Sequence, residues 1–471
     1  MKTKLKKFTE FSKTILPNEA KYLESRYQFT DPEKLSIITL VVTNALSQNK
    51  PIDFDGDIDK RKYSYIKNWI ENKLASIDVD ATIAWIMSLK KKILTDAIAS
   101  HEEKEFLHYI STYKNIEFNF QNLYDLAKEY KSYLLVRMRY KDHKIVADFL
   151  DAYLDSYIEA KATKDKLYDA TTEITNQYTR NNNETKHLET WLLQVFKYEN
   201  SDGKNRYQAF VLLAFMYTNY NENDKLKVIF DQIDYYFSQG EMYSRRLLSN
   251  YYASRVLLHS KQDEFKEAEF YGYLSIRQNN NDVLMYLNNL VAILLRNHKP
   301  EKAVSLLEKH HDLYKETHNY HQKIGYCSYQ IRVLSELQKN KLAEATAKTF
   351  LRQYKNEVLN HRWHHFFTSY INVLIILEKY DDVLKLASKF NLTEKESERQ
   401  KQNNYVPNIS WSISLSRYME GQINSLRLLE EIKAPLKDIQ PTKNQKQLMI
   451  KVIDRLSNNL PEAFLKLKSH I

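Results

Sequence analysis

Histidine is the residue type in this chain whose spacing most directly suggests chemistry. Eight of its 14 histidines fall between residues 298 and 365: His298, His310, His311, His318, His321, His361, His364 and His365. In a helix His361, His364 and His365 would share one face, a geometry that suits imidazole ligation of zinc. There is no H-E-x-x-H pattern and no cysteine close by in sequence, and Trp363, Phe366 and Phe367 around them read as a packing seam. A structural or surface role is therefore expected, with no metal and no cofactor. The aspartates Asp53, Asp55, Asp57 and Asp59 resemble a calcium loop, which needs Gly at position 6 and Glu at position 12. Counted from Asp53 those positions are Ile58 and Ser64, and counted from Asp55 they are Lys60 and Ile66, so the segment reads as an acidic linker. Cys327, the single cysteine, reads as a buried small apolar residue and cannot form an internal disulfide. No nucleophile elbow, phosphate loop or dinucleotide fingerprint occurs, and six glycines could hardly supply them. The chain is expected not to be an enzyme.

Basic residues offer a second chemistry. The formal charge is +10, from 70 Lys and Arg against 60 Asp and Glu. Much of it lies at the ends: Lys2, Lys4, Lys6, Lys7 and Lys13 at one, and Lys437, Lys443, Lys446, Lys451, Arg455, Lys466 and Lys468 at the other. Three internal clusters combine cations with, in two cases, tyrosine: Lys60-Arg61-Lys62-Tyr63 with Lys67, Lys90-Lys91-Lys92, and Arg137-Met138-Arg139-Tyr140-Lys141 with Lys144. Such residues contact phosphates and stack on bases. They support an alternative reading as a nucleic-acid-associated or transcriptional regulator using basic termini, although acids elsewhere in the middle of the chain largely cancel them.

Any of these groups must be positioned by helices. The chain of 471 residues contains six glycines and eight prolines; no proline occurs between Pro51 and Pro300 and no glycine between Gly56 and Gly203. Tight hairpin turns between strands need residues that tolerate positive φ, above all Gly, so a sheet protein of this length is excluded and an all-α fold is expected. At this size the chain should be several domains or an elongated array. Leu35–Leu46 is the most apolar run and is too short to span a bilayer. The N-terminus lacks the apolar core of a secretory signal, so the protein is expected to be cytoplasmic with no membrane partner.

From about residue 205 a two-helix unit recurs. Its second helix opens with the pairs Leu226/Ile229, Phe265/Ala268, Pro300/Ala303, Leu342/Ala345, Tyr380/Val383 and Ile423/Leu426, each after a short, mostly polar break. Gly240 and Gly421 read as links, whereas Gly272 and Gly325 fall inside helices and Pro300 opens one. In Asn250–Ile276 and Tyr286–Tyr314 an aromatic residue or proline stands three positions before Ala268 and Ala303. On these residues the chain resembles the tetratricopeptide-repeat superfamily. It departs from the pattern at Val256 and Val291, where a small residue is usual, and in its drifting repeat length. The resemblance implies a superhelical array of antiparallel helix hairpins whose concave face binds a partner segment.

Residues 1–60 are expected to be an N-terminal helical segment and acidic linker, 61–204 degenerate hairpins or a cap, 205–430 the repeats, and 431–471 a capping helix and basic tail. Seven helices are expected in the N-terminal region: Glu33–Leu46, Lys62–Ala75, Asp80–Ser100, Glu103–Thr112, Phe118–Tyr140, Lys144–Ala162 and Thr163–Arg180. The terminal helix Gln445–Leu456 is expected to turn its polar residues outward. Function is expected to be a non-catalytic scaffold or adaptor binding a protein or peptide. The candidate lining comprises Asn250, Arg255, Asn288, Asn289, Tyr329, Arg332, Tyr370 and Asn372.

Overall fold

The computed structural model describes residues 5–47, 51–180, 184–278, 280–400, 405–436, 441 and 443–468. Lys2, Lys4, Lys437 and parts of the expected linkers lie outside these residues. Among the described residues every regular element is helical and there is no strand. No helix there is long and apolar enough to cross a membrane.

The chain divides into two compact units, Met1–Gln278 and Asn279–Ile471. The first holds α1 (Lys6–Ser12), α2 (Pro17–Glu24), α3 (Pro32–Leu46), α4 (Lys60–Ala75), α5 (Val79–Leu94), α6 (Ser100–Ser111), α7 (Phe120–Val136), α8 (Tyr140–Ala152), α9 (Leu154–Arg180), α10 (Glu189–Lys197), α11 (Gly203–Tyr220), α12 (Asn223–Gln239), α13 (Arg245–Lys261) and α14 (Phe265–Ser275). The second holds α15 (Val283–Arg296), α16 (Pro300–Lys309), α17 (His311–Glu316), α18 (Tyr320–Glu336), α19 (Asn340–Gln353), α20 (Lys355–His361), α21 (Trp363–Ile376), α22 (Tyr380–Lys389), α23 (Leu392–Arg399), α24 (Asn408–Met419), α25 (Ser425–Lys433), α26 (Lys443–Ser457) and α27 (Pro461–Leu467).

In the first unit α2 is fastened to α12 and α13 by charge. Glu19 is fully buried; its carboxylate accepts from the Tyr243 hydroxyl at 2.6 Å, from Arg245 Nε at 2.8 Å and from the Leu16 N–H at 2.9 Å. Asp234 accepts from Asn18 Nδ2, Lys21 Nζ and the Tyr251 hydroxyl. The expected boundary between helices at 162/163 is instead at Tyr153, and α5 stops at Leu94, where Asp96 takes a positive φ.

In the second unit the helices pair as α15/α16, α18/α19, α21/α22 and α24/α25. The first helices touch in succession, α15 to α18, α18 to α21 and α21 to α24, and α16, α19 and α22 each touch the first helix of the following pair. The fourth residue of each second helix is buried to 1% exposure or less: Ala303, Ala343, Val383 and Leu428, as are Leu226 and Ala268 in the first unit. Three of the expected opening pairs are out of register, the first because Leu226 is the fourth residue of α12 rather than its first. Leu342 is 54% exposed and Leu426 is 72% exposed. Helix α19 starts two residues before Leu342, straight after the Lys339 N–H has closed the end of α18. Helix α25 starts two residues after Ile423, because Asn424 Oδ1 caps the Arg427 N–H at 2.9 Å.

The links repeat one device. His298, Gln338, Glu378 and Gly421, like Asn221 and Asp263 in the first unit, all have positive φ. The next residue donates its N–H five positions back, as Lys299 to Leu294, Lys339 to Leu334, Lys379 to Leu374 and Gln422 to Arg417. This is the Schellman closure, which usually takes Gly at the left-handed position. In this chain the hydrogen-bond pair is kept while the glycine is mostly dispensed with, which explains how hairpins form from a glycine-poor sequence. Gly240 and Gly421 are left-handed links and Gly325 is helical, as expected.

Candidate functional site

In the second unit, where α15, α18 and α21 touch in succession, polar side chains of α15 and α18 meet Arg362 and His365 at the start of α21 to form a polar tract, and Arg455 of α26 lies within electrostatic reach of Arg332. At its start Asn288 Nδ2 donates to the Gln322 carbonyl at 3.1 Å. That bond fixes which end of the amide is oxygen. Gly325 lies beside it, one turn along α18. A Cβ at this position would stand 2.7 Å from Arg362 Nη1 and 3.0 Å from Asn288 Nδ2, so the glycine makes room for both. Arg362 Nη1 also reaches the His321 carbonyl at 3.5 Å. Further along, Tyr329 packs edge-on to His365 at 5.0 Å and beneath the Arg332 guanidinium at 5.9 Å. Arg455 Nη2 donates to Asn408 Oδ1 at 2.7 Å.

The electrostatics of this tract are one-sided. Burial, then Arg362, Arg332, His364 and His321, hold the His365 imidazole well below its ordinary pKa. Burial and then Arg332 push Arg455 down to about 10, and burial with Arg362 and His361 lowers His321 to about 4. Among the described residues, Asn288 Oδ1, Gln322 Oε1, His365 Nε2, Thr368 Oγ1, Asn372 Oδ1 and Arg455 Nε are buried atoms with no hydrogen-bond partner. Each such group left unserved costs about 1–3 kcal/mol, so the tract is built at the expense of stability. It contains donors, acceptors and cations but no activated nucleophile. Cys327 is buried and its thiol is pushed up by burial.

The three spaced histidines do not converge. His361 is exposed and stacks on Tyr320 at 6.4 Å, and His365 faces Tyr329. His364 Nε2 lies 3.6 Å from Glu396 Oε2, and burial followed by Arg399 lowers it to about 3. Glu396, 2% exposed, is pushed up to about 7 by burial, against the Ile409 and Ser410 N–H groups, the Tyr405 hydroxyl and Arg399, none of which reaches full hydrogen-bond geometry. Among the described residues no three candidate ligands come together.

Of the expected lining residues, Asn288, Tyr329 and Arg332 fall in the tract, and Asn372 is half-buried on α21 with its Oδ1 sealed from solvent. Asn289 is half-buried on α15, and Tyr370 is buried in the core against Phe366. Asn250 and Arg255 lie in the first unit on α13. Asn250 is half-buried, its carbonyl accepting from Ser254 Oγ. Arg255 is 8% exposed, donates to the Tyr251 hydroxyl at 2.9 Å and Asp231 at 3.4 Å, and lies against the Phe230, Tyr251 and Tyr271 rings. It is committed to internal packing. Sequence reasoning missed Gln322, Arg362 and Thr368, and weighed His365 as a metal ligand against a structural or surface role, not as part of a binding tract. Arg455 counted only toward the basic end, on a helix expected to point its polar residues outward. It is instead half-buried, with its Nε sealed from solvent, on the helix that carries the buried stripe Met449, Val452, Ile453 and Leu456.

Each internal basic cluster has at least one cation paired with an acid. Lys62 pairs with Asp31 and Glu33 at 2.8 Å each, Arg137 with Asp96 at 2.5 Å, Arg139 with Glu103 at 2.5 Å and Asp142 at 2.6 Å, and Lys92 with Glu102. No protein-family model, curated protein or solved structure matches the chain.

Proposed function

We propose that the protein is a non-catalytic binding scaffold. In this reading the hairpins of the second unit stack in tetratricopeptide-like fashion, and the face made by their first helices captures an extended segment of a partner protein. One observation carries this: buried carboxamide oxygens on successive first helices, Asn288 on α15, Gln322 on α18 and Asn372 on α21, have no partner among the described residues. A fold selected for stability alone would replace such groups with apolar ones. These oxygens are sealed from solvent in the free protein, so capture turns the amides outward onto donors spaced along the extended chain. The succession of contacts between first helices supports the stacked arrangement.

The reading is tested with the tagged full-length chain and a doubly substituted Asn288→Ala, Asn372→Ala variant. The wild type should retain a partner through purification that the variant loses, while the variant's melting temperature stays within a few degrees, the lost Asn288–Gln322 bond offsetting the relieved oxygens. Undiminished capture by the variant would overturn it.

A further inference from the structure

The first unit, which takes no part in the capture reading, carries apolar side chains in open solvent at one end. Leu135 and Val136 close α7, Met138 stands in the turn that follows, and Tyr140 opens α8; all four are exposed, Val136 to 78% and Met138 to 73%. Arg137 Nη2 donates to Asp96 Oδ1 at 2.5 Å, which brings in the end of α5 and its exposed Leu94. Arg139 ties the same turn inward, to Glu103 at 2.5 Å and Asp142 at 2.6 Å. Both arginines are thus held by the fold, while the apolar residues beside them stay in solvent.

Met138 marks this end as more than a turn. Among the described residues nine besides glycine have positive φ. Seven of them are polar and exposed, and Met242 is buried. Met138, with φ of 56°, alone brings an apolar side chain to the surface. A Cβ is disfavoured in this conformation, and glycine or asparagine would close the helix at less cost.

Free cations flank these residues. Lys91, one turn before Leu94, and Lys141 and Lys144, in the first two turns of α8, are exposed and pair with no acid among the described residues. Nearby carboxylates are engaged: Asp96 by Arg137, Glu102 by Lys92, and Glu103 and Asp142 by Arg139. An occupant must therefore offer both an apolar medium and negative charge. Side chains this exposed form a protrusion, since those lining a groove are partly covered by its facing wall. A protein partner would need a socket cut to fit them. A bilayer surface takes them without one: aliphatic groups enter the acyl boundary, tyrosine sits at headgroup level and lysines reach anionic headgroups. No described helix can cross a bilayer, and surface docking needs none. We propose that this end of the first unit docks on an anionic lipid surface, with Leu94, Leu135, Val136, Met138 and Tyr140 entering between headgroups held by Lys91, Lys141 and Lys144.

The test is sedimentation of the full chain with vesicles of phosphatidylcholine alone and of phosphatidylcholine mixed with phosphatidylserine. The mixed vesicles should bind at least about tenfold more tightly, the scale of a few lysines at an anionic surface. Val136→Ser with Met138→Asn should weaken that binding at least about tenfold, as two apolar side chains are lost from the contact. Both positions are exposed and asparagine accepts the left-handed turn, so this variant should fold. Lys141→Gln with Lys144→Gln should reduce the preference for the mixed vesicles, and Leu342→Ser, at an exposed apolar site of the second unit, should change nothing. Equal binding to both vesicles, or binding untouched by the Val136 and Met138 changes, would overturn the proposal. Binding to neither would overturn it too. Sedimentation velocity then assigns this end to a second copy if the wild type dimerises and the Val136 and Met138 variant does not. Loss of a co-purifying acidic protein on those changes assigns it instead to a protein partner.

Discussion

Arg455 donates to Asn408 across 2.7 Å, and the charged group nearest it in effect is another arginine, Arg332. A half-buried arginine whose Nε is sealed from solvent without a partner is a liability in the free protein. Arg455→Leu should raise the stability of the chain by about 1 kcal/mol or more, the penalty typical of an unserved buried polar group. Urea denaturation would show it. A loss of similar size would mean that the Asn408 bond outweighs the desolvation.

Gln338 is exposed and holds the left-handed position between α18 and α19 with φ of 60°. A left-handed residue with a Cβ costs about 1–2 kcal/mol, part of which glycine returns through its freer unfolded state. Gln338→Gly should therefore stabilise the protein by about 0.5–1 kcal/mol and Gln338→Ala should be neutral, both read from the denaturation midpoint.

Glu19 carries the opposite sign. Removing its carboxylate leaves Arg245 and the Tyr243 hydroxyl without their shared acceptor in a buried setting. Glu19→Ala should cost about 3–5 kcal/mol, as when one partner of a buried pair is deleted. Arg245→Ala in that background should add little, because the two losses are not independent.

The buried imidazoles set an acid limit. His364 and His365 have folded pKa values below the unfolded value of 6.5. The unfolded state thus binds protons first, and the stability these groups contribute, complete above pH 6.5, is lost as pH falls toward the folded value of about 3 for His364. Glu396 runs the other way. Its folded pKa of about 7 exceeds the ordinary 4.5, so its contribution is complete below 4.5 and gone once pH passes 7. Melting curves from pH 4 to 8 should show His365→Asn flattening the acid limb and Glu396→Gln flattening the decline toward neutrality.

Gly325→Ala separates binding from folding. In a helix interior the change ordinarily gains about 0.5–1 kcal/mol. Here the new methyl must displace the Arg362 guanidinium and crowd Asn288. Stability should stay within about 0.5 kcal/mol, while partner retention falls.

The helical fold was legible because glycine and proline are scarce, and the hairpins because Ala268, Ala303 and Val383 recur beside aromatic residues or proline. Registers slipped at Leu226, which holds the fourth position of α12, and at Leu342 and Leu426, where an apolar residue lies on an exposed face and periodicity cannot tell a start from a second turn. Asn288, Tyr329, Arg332 and Asn372 were visible as polar positions on expected first helices. Arg255 looked equivalent, yet the rings of Phe230, Tyr251 and Tyr271 enclose it. Arg455 was hidden because desolvation of a cation depends on packing between helices distant in sequence, which local charge counting does not register.

Cys327 is the only thiol in the chain and sits at 1% exposure on α18. A thiol reagent can therefore reach the protein only when the surroundings of α18 open, so alkylation acts as a native stopwatch for that event, without engineered labels and silent to the first unit. An occupied tract should slow the stopwatch, giving a readout of binding that needs neither a tagged ligand nor a known partner.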